Sequence, residues 1–351
     1  MNTLNVQTLK SQVHMLPFFV LMIIYSVVIA KRIIRHNHGP GIVDQPVRLG
    51  STRSYPYNTS STTDPPDLHS YGKWITSQPH PSDSGMVRKI KESGYYSGWG
   101  IPITGIEDVQ SVFRQRNVLI IGDSYLQNIM IELTDLYFGN VENTSTSNPT
   151  RVNGAFVKLH PKRSEYMKDT INRLDLHNVS LHYMGKYSDT CGIPRHSGYY
   201  ISKLSQILND VRHSDCFIKW LRQFDVIVCD VYVHEFVVEK PVFPREMYPK
   251  KLDECLQLLP PDIKKKFIWI SPKSYRNTNT PLKYLKRQSP STSLVTETLR
   301  VLKRNHVRYV DFYTPTLSCT WKNCTVEDHH HSRFVARSVA MKLIEMMHNE
   351  S

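Results

Sequence analysis

Glycine is scarce, with 15 in 351 residues, and no glycine-rich loop of the phosphate-cradling kind occurs. Zinc-finger spacing and RNP-type aromatic motifs are absent too, so the chain does not read as a nucleic-acid binder. Acidic residues are the minority charge: 31 Asp and Glu against 44 Lys and Arg leave a formal charge of +13. Such a balance admits anionic glycans or anionic membranes as partners. The bases are scattered, as in Lys162/Arg163, Lys250/Lys251, Lys264 to Lys266 and Lys283/Lys286/Arg287, which is the pattern of a solvated basic surface. Six cysteines are too few for a disulfide scaffold at this length, yet enough for a few bridges. Cys319 and Cys324 can close a small loop, Cys191 and Cys216 can pair, and Cys229 lies in an apolar strand-like run. Spacing alone does not fix the connectivity. What remains, 40% hydrophobic and 21% charged residues, excludes collagen, a long coiled coil and wholesale disorder. One large domain with accessory segments is expected.

Long apolar runs are nearly absent; the one that exists is Met15 to Ala30, MLPFFVLMIIYSVVIA, sixteen residues without a charge. A full bilayer crossing takes about 20 apolar residues, with roughly 17 as the lower bound, so this segment suits the thinner membranes of the early secretory pathway. After it, residues 36–85 hold seven of the 21 prolines and runs such as Ser60-Ser61-Thr62-Thr63-Asp64-Pro65-Pro66, a composition that packs no core. The expected layout is a cytoplasmic tail (1–14), a signal anchor (15–30), a Pro/Ser/Thr-rich stem (31–85) and a globular lumenal part (86–351). That is the layout of a single-pass type II protein of the Golgi or another secretory membrane. Lys31, Arg32 and Arg35 follow the segment and only Lys10 precedes it, which favours the opposite orientation. Sequons at Asn58, Asn143, Asn178, Asn323 and Asn349 favour the lumenal one. A signal peptide cleaved after Val28-Ile29-Ala30, giving a secreted protein, is the alternative.

From about Met86 apolar runs alternate with amphipathic stretches. Asn117 to Gly122, Arg151 to Leu159, Val179 to Tyr183, Asp225 to Val231, Lys266 to Ile270 and Val307 to Phe312 read as strands. Helical spacing covers Leu126 to Tyr137, Glu165 to Leu174, Tyr200 to Val211, Met247 to Leu259, Thr292 to Lys303 and Phe334 to Met347. The alternation predicts an α/β fold with a mostly parallel central sheet covered on both faces. Ligands bind beyond the carboxyl ends of the strands in such folds, so the residues just after each strand are the ones to inspect.

Gly122-Asp123-Ser124 follows the first strand, where a serine at a strand-to-helix turn is exposed and its N–H sits at a helix start that favours negative charge. An N-cap explains the same tripeptide structurally. Near the other end, Asp328-His329-His330-His331 precedes the last helix, and a spacing of three lets one short turn point Asp328 and His331 toward the same cleft. A serine nucleophile needs a base, and the base needs an acceptor that fixes its tautomer. The histidine run also raises a metal site, but no carboxylate or cysteine set at ligand spacing accompanies it. A Cys319–Cys324 bridge would end four residues before Asp328 and clamp that turn.

Together, Gly122-Asp123-Ser124 after the first strand and Asp-x-x-His before the final helix resemble the SGNH (GDSL-type) hydrolase superfamily, and within it the PC-esterase and NXPE C-terminal branch. Gly122-Asp123-Ser124-Tyr125-Leu126-Gln127-Asn128 is similar to the branch's Gly-Asp-Ser-x-x-Arg-Gln/Asn, and Ser93-Gly94-Tyr95-Tyr96 with Trp99 resembles its aromatic lead-in. The resemblance covers roughly residues 86–351. It implies a three-layer α/β/α sandwich, Ser124 as nucleophile, His331 as base and Asp328 as the orienting carboxylate. Gln127 stands where the branch has Arg. The superfamily's Gly-x-Asn-Asp block appears as Tyr232-Val233-His234-Glu235, without its glycine, and His234 is the candidate for the oxyanion hole beside the Ser124 N–H. Gly154 is the candidate for a further N–H, with Gly192 and Gly198 as competitors. The implied activity is transfer or removal of O-acetyl groups on glycans through an acyl-serine, with no cofactor beyond an acyl donor such as acetyl-CoA as co-substrate. The alternative is a catalytically silent glycan-binding or adhesion module.

Overall fold

A computed structural model describes residues 72–122, 124–141, 170–183, 203–233, 235–236, 242–274, 289–319 and 331–348, all within the unit Pro66–Ser351. The expected anchor and most of the expected stem lie outside the described residues. No helix among the described residues is long and apolar enough to cross a membrane.

The chain enters as β1 (Trp74–Ile75), α1 (Gly85–Ser93), β2 (Tyr95–Tyr96) and α2 (Ile106–Gln115). It continues through β3 (Val118–Gly122), α3 (Ser124–Tyr137), β4 (Leu181–Tyr183), α4 (Leu204–His213), α5 (Asp215–Leu221) and β5 (Val226–Asp230). The remainder is α6 (Tyr248–Leu258), α7 (Pro261–Lys264), β6 (Phe267–Ile270), α8 (Thr292–Arg304), β7 (Arg308–Val310), α9 (Tyr313–Leu317) and α10 (Arg333–His348). Among the described residues five strands form one sheet in the order β4-β3-β5-β6-β7, and every pairing between them is parallel. Val118-Leu-Ile-Ile-Gly122 and Val226-Ile-Val-Cys-Asp230 are buried along their whole length, as continuous apolar runs in a sheet covered on both faces should be.

The order is doubly wound. β4, which follows α3 in the chain, lies on one side of β3, and every later strand among the described residues lies on the other. Right-handed crossovers then set α3 against the opposite face from the helices that join the later strands. The packing agrees: α2, α3 and α10 contact one another, while α6 packs with α4 and α8. The switch point lies between β3 and β5, where such sheets open a crevice at their carboxyl edge.

Caps fix several helix starts. The Ser84 and Ser291 hydroxyls accept from the N–H of Val87 and Leu294 at 3.3 and 3.2 Å, opening α1 and α8. Gly94 closes α1 at φ 105°, a conformation that glycine adopts without strain.

The globular part begins earlier than the composition suggests. Trp74 and Ile75, in the stretch expected to be stem, pair antiparallel with Tyr96 and Tyr95. The Trp74 indole is buried, donates to the Pro315 carbonyl at 2.8 Å and packs on Phe334 at 5.3 Å. A two-residue strand carries no periodicity, so proline and serine content dominated the reading there. The strand expected over Arg151 to Leu159 falls outside the described residues.

Candidate active site

Three strand ends meet at the switch point. Gly122 closes β3 opposite Asp230 of β5, and a Cβ on it would stand 2.4 Å from the Asp230 carbonyl oxygen and 2.6 Å from Leu126 Cδ1. Only glycine fits that approach. The Tyr183 hydroxyl, at the end of β4, donates to the Gly122 carbonyl at 3.0 Å. Ser124 is then the first residue of the fourteen-residue α3, so the partly positive helix end lies at the crevice.

His331 comes to the same place from 207 positions further along the chain. It is 2% exposed, stands edge-on to the Tyr125 ring at 5.6 Å and packs on Phe312 at 5.3 Å. Tyr125 and Phe312 are themselves 5.2 Å apart, so the three rings form a closed cluster. Tyr125 directly follows Ser124, and the imidazole therefore packs against the first turn of the helix that Ser124 opens.

Hydrogen bonds at the ends of β6 and β7 hold this cluster. Ser271 Oγ accepts from the N–H of Phe312 at 2.8 Å and of Tyr313 at 3.2 Å, and the Ser274 N–H donates to Thr316 Oγ1 at 2.8 Å. Between Ser271 and Ser274 sits Lys273, buried, with its ammonium 3.3 Å from the centre of the Tyr125 ring. The first turn of α3 thus has a cation on one aromatic face and an imidazole at a ring edge.

The other expected residues divide in two. Gln127 is half-buried on α3. Asn128, one turn beyond Ser124, is fully buried and neither atom of its amide has a hydrogen-bond partner among the described residues. Asp328, His234, Gly154, Cys324, and sequon residues Asn58, Asn143 and Asn323 lie outside the described residues. Next to His234, however, Glu235 is fully buried and pinned. Its carboxylate accepts from the Ser205 N–H at 3.0 Å and the Ser205 hydroxyl at 2.8 Å in the first turn of α4, and from the Val242 N–H at 3.4 Å. Asp230 Oδ1 accepts from the Tyr232 N–H at 3.2 Å, turning the chain at the end of β5.

Cys216 and Cys319 are each disulfide-bonded, while Cys229 and Cys255 are buried free thiols. Asn178 is exposed on a turn at φ 53°. Among the described residues no group of three or more His, Cys, Asp or Glu side chains is placed to hold a metal.

Sequence reasoning missed Lys273. It stands three residues after β6, where inspecting strand ends finds it, but a lone lysine in Ser271-Pro272-Lys273-Ser274 carries no motif. A second omission is larger. Between α3 and α10, Glu132 accepts from Arg333 Nε at 2.5 Å and from Arg337 Nε at 2.9 Å, and Arg333 also pairs with Asp135. These four side chains are almost fully buried. Burial alone would raise the Glu132 carboxyl, yet the charges of Arg333 and then Arg337 outweigh it and hold that carboxyl below its ordinary range. For Asp135 burial wins: with Glu132 beside it, the carboxyl is pushed up to about 6 against the pull of Arg333 and Arg173.

No family model, no curated protein and no solved structure matches the chain.

Proposed function

We propose that the protein is an acyl-ester enzyme of the SGNH kind, on a three-layer sandwich, which adds or removes O-acetyl groups on glycans through an acyl-Ser124 intermediate. The observation that carries the reading is the packing of His331 against Tyr125, the residue next to Ser124, at the carboxyl edge of a doubly wound sheet. In this reading Ser124 Oγ attacks the acyl carbonyl and its proton passes to the His331 imidazole. The tetrahedral intermediate collapses, and the leaving oxygen or sulfur of the donor takes that proton away. A sugar hydroxyl or water then attacks the acyl-serine, gives its proton to His331, and Ser124 recovers it as the ester or acid departs. Asp328 keeps the imidazole tautomer, and the helix-start N–H of Ser124 with His234 stabilises the oxyanion. Gln127 offers an uncharged amide where the branch has Arg, so the chain relies more heavily on His234.

Two observations support a secretory setting. Cys216 and Cys319 are in disulfides, which persist in oxidising compartments, and the Asn178 sequon sits on an exposed turn open to a glycosyltransferase. The transmembrane anchor and Golgi residence belong to the same proposal.

A fluorophosphonate probe on the full-length protein tests the nucleophile. Labelling should map to Ser124, vanish in Ser124→Ala and fall at least about 100-fold in His331→Ala. Absence of labelling in the parent protein would favour the silent glycan-binding module instead.

A further inference from the structure

α10 is buried on nearly every side: Phe334, Val335, Ala336, Val339, Ala340, Met341, Leu343, Ile344 and Met347 all face packed neighbours. Apolar residues on nearly every side of α10 give it no single preferred face, so buried area alone does not single out one axial register. Directional bonds do. Ser124, Asn128, Glu132 and Asp135 fall on one face of α3, spaced i, i+4, i+8 and i+11. Arg333 and Arg337, one turn apart on α10, hold the two oxygens of the single Glu132 carboxylate, one guanidinium on each. Arg337 Nη1 also donates to Ser93 Oγ at 2.9 Å, tying the same helix to the end of α1. A slide of one residue, about 1.5 Å, would break both grips on Glu132. His331 stands two residues before Arg333.

We propose that Glu132, Arg333 and Arg337 are positioning residues: their ion network fixes the register of α10 on α3 and thereby holds His331 against the turn that carries Ser124. The role rests on the acyl-enzyme reading for its catalytic consequence, though not for its geometric one. Buried networks of this kind add little net stability when compared with apolar replacements, and their best-attested use is to select one register.

The test is the double variant Glu132→Leu/Arg337→Met, which removes one charge of each sign and leaves Arg333 paired with Asp135. Three readouts are taken on the full chain: melting temperature, kcat and KM for an aryl acetate, and carbethoxylation of His331 by diethyl pyrocarbonate, located by peptide mass spectrometry. The melting temperature should stay within about 4 °C. kcat should fall about 100-fold at unchanged KM, since a displacement near 1 Å is worth that much. His331, protected by burial in the parent, should be modified at least about 10-fold faster in the double variant, as expected when register is lost. Unchanged kcat with His331 still protected would overturn the proposal. If the parent does not turn over esters at all, the acyl-enzyme reading falls while His331 reactivity still decides register: exposure supports it, protection overturns it. Should the double variant fail to fold, Arg337→Lys keeps the charge but loses the two-point hold. Smaller changes of kcat and His331 reactivity in the same direction then support the proposal, and none overturns it.

Discussion

Between α3 and α10 the buried carboxylates and guanidiniums are held in ion pairs; where Tyr232, Phe236 and Tyr248 meet, the buried polar groups are neutral and held among packed rings. Tyr232 meets Tyr248 edge-to-face at 5.2 Å and packs at a tilt on Phe236 at 5.1 Å, and its hydroxyl has no hydrogen-bond partner among the described residues. Burial raises the Tyr232 phenol above its ordinary value, and pushes the Cys255 thiol up to about 12 and the Cys229 thiol well above its usual range. None of these groups carries charge at neutral pH. One region therefore fixes its helices by direction, the other by volume. A shift among the rings would cost packing but unpair no charge, whereas a carboxylate gripped at both oxygens would lose both ion pairs. The directional seam lies on the helix that Ser124 opens and the helix that His331 precedes, where the proposed mechanism makes register matter.

The largest expected effect breaks the seam on one side only. Glu132→Ala leaves Arg333 and Arg337 buried with Asp135 as their remaining carboxylate, and should cost about 3–5 kcal/mol in chemical denaturation. A loss below about 1 kcal/mol would mean the seam is far wetter than described.

Next comes the pH dependence of Asp135. Its folded pKa of about 6 lies above the unfolded value near 3.9, so the folded state holds the proton more tightly. That stabilisation is complete below about pH 4 and is lost as pH rises through about 6. Asp135→Asn cannot lose a proton and escapes the loss. Its stability relative to the parent should rise between about pH 4 and pH 7, by on the order of 3 kcal/mol. A difference that is flat with pH, or falls, would show that Arg333 and Arg173 outweigh burial there.

The smallest effect belongs to the neutral region. Tyr232→Phe removes a buried hydroxyl without a partner and leaves the ring packing intact, so stability should change by less than about 0.5 kcal/mol, or increase. A loss of more than about 1 kcal/mol would place a hidden partner, such as an ordered water, on that oxygen.

Legibility in the sequence followed the kind of order involved. Apolar runs gave β3, β5 and β6 nearly to the residue, and helical spacing gave α3, α8 and α10, because both periods are local. The Gly-Asp-Ser turn and the histidine run stood out because each sits at the edge of such an element. β1 did not, since Trp74 owes its place to Tyr96, Phe334 and the Pro315 carbonyl, all distant in sequence. The seam stayed hidden for the same reason. Glu132, Arg333 and Arg337 read singly as interruptions in apolar helices, and only pairing across about two hundred residues turns them into a device.

The acyl-serine itself is the most direct test of the account. Full-length protein mixed briefly with an aryl acetate, quenched in acid and digested, should carry an acetyl group on the peptide containing Ser124. The adduct should accumulate further in a slow-deacylating mixture lacking sugar acceptor, and be absent from Ser124→Ala. Aryl acetate turnover by the parent with no acetyl on Ser124, and undiminished turnover by Ser124→Ala, would contradict it.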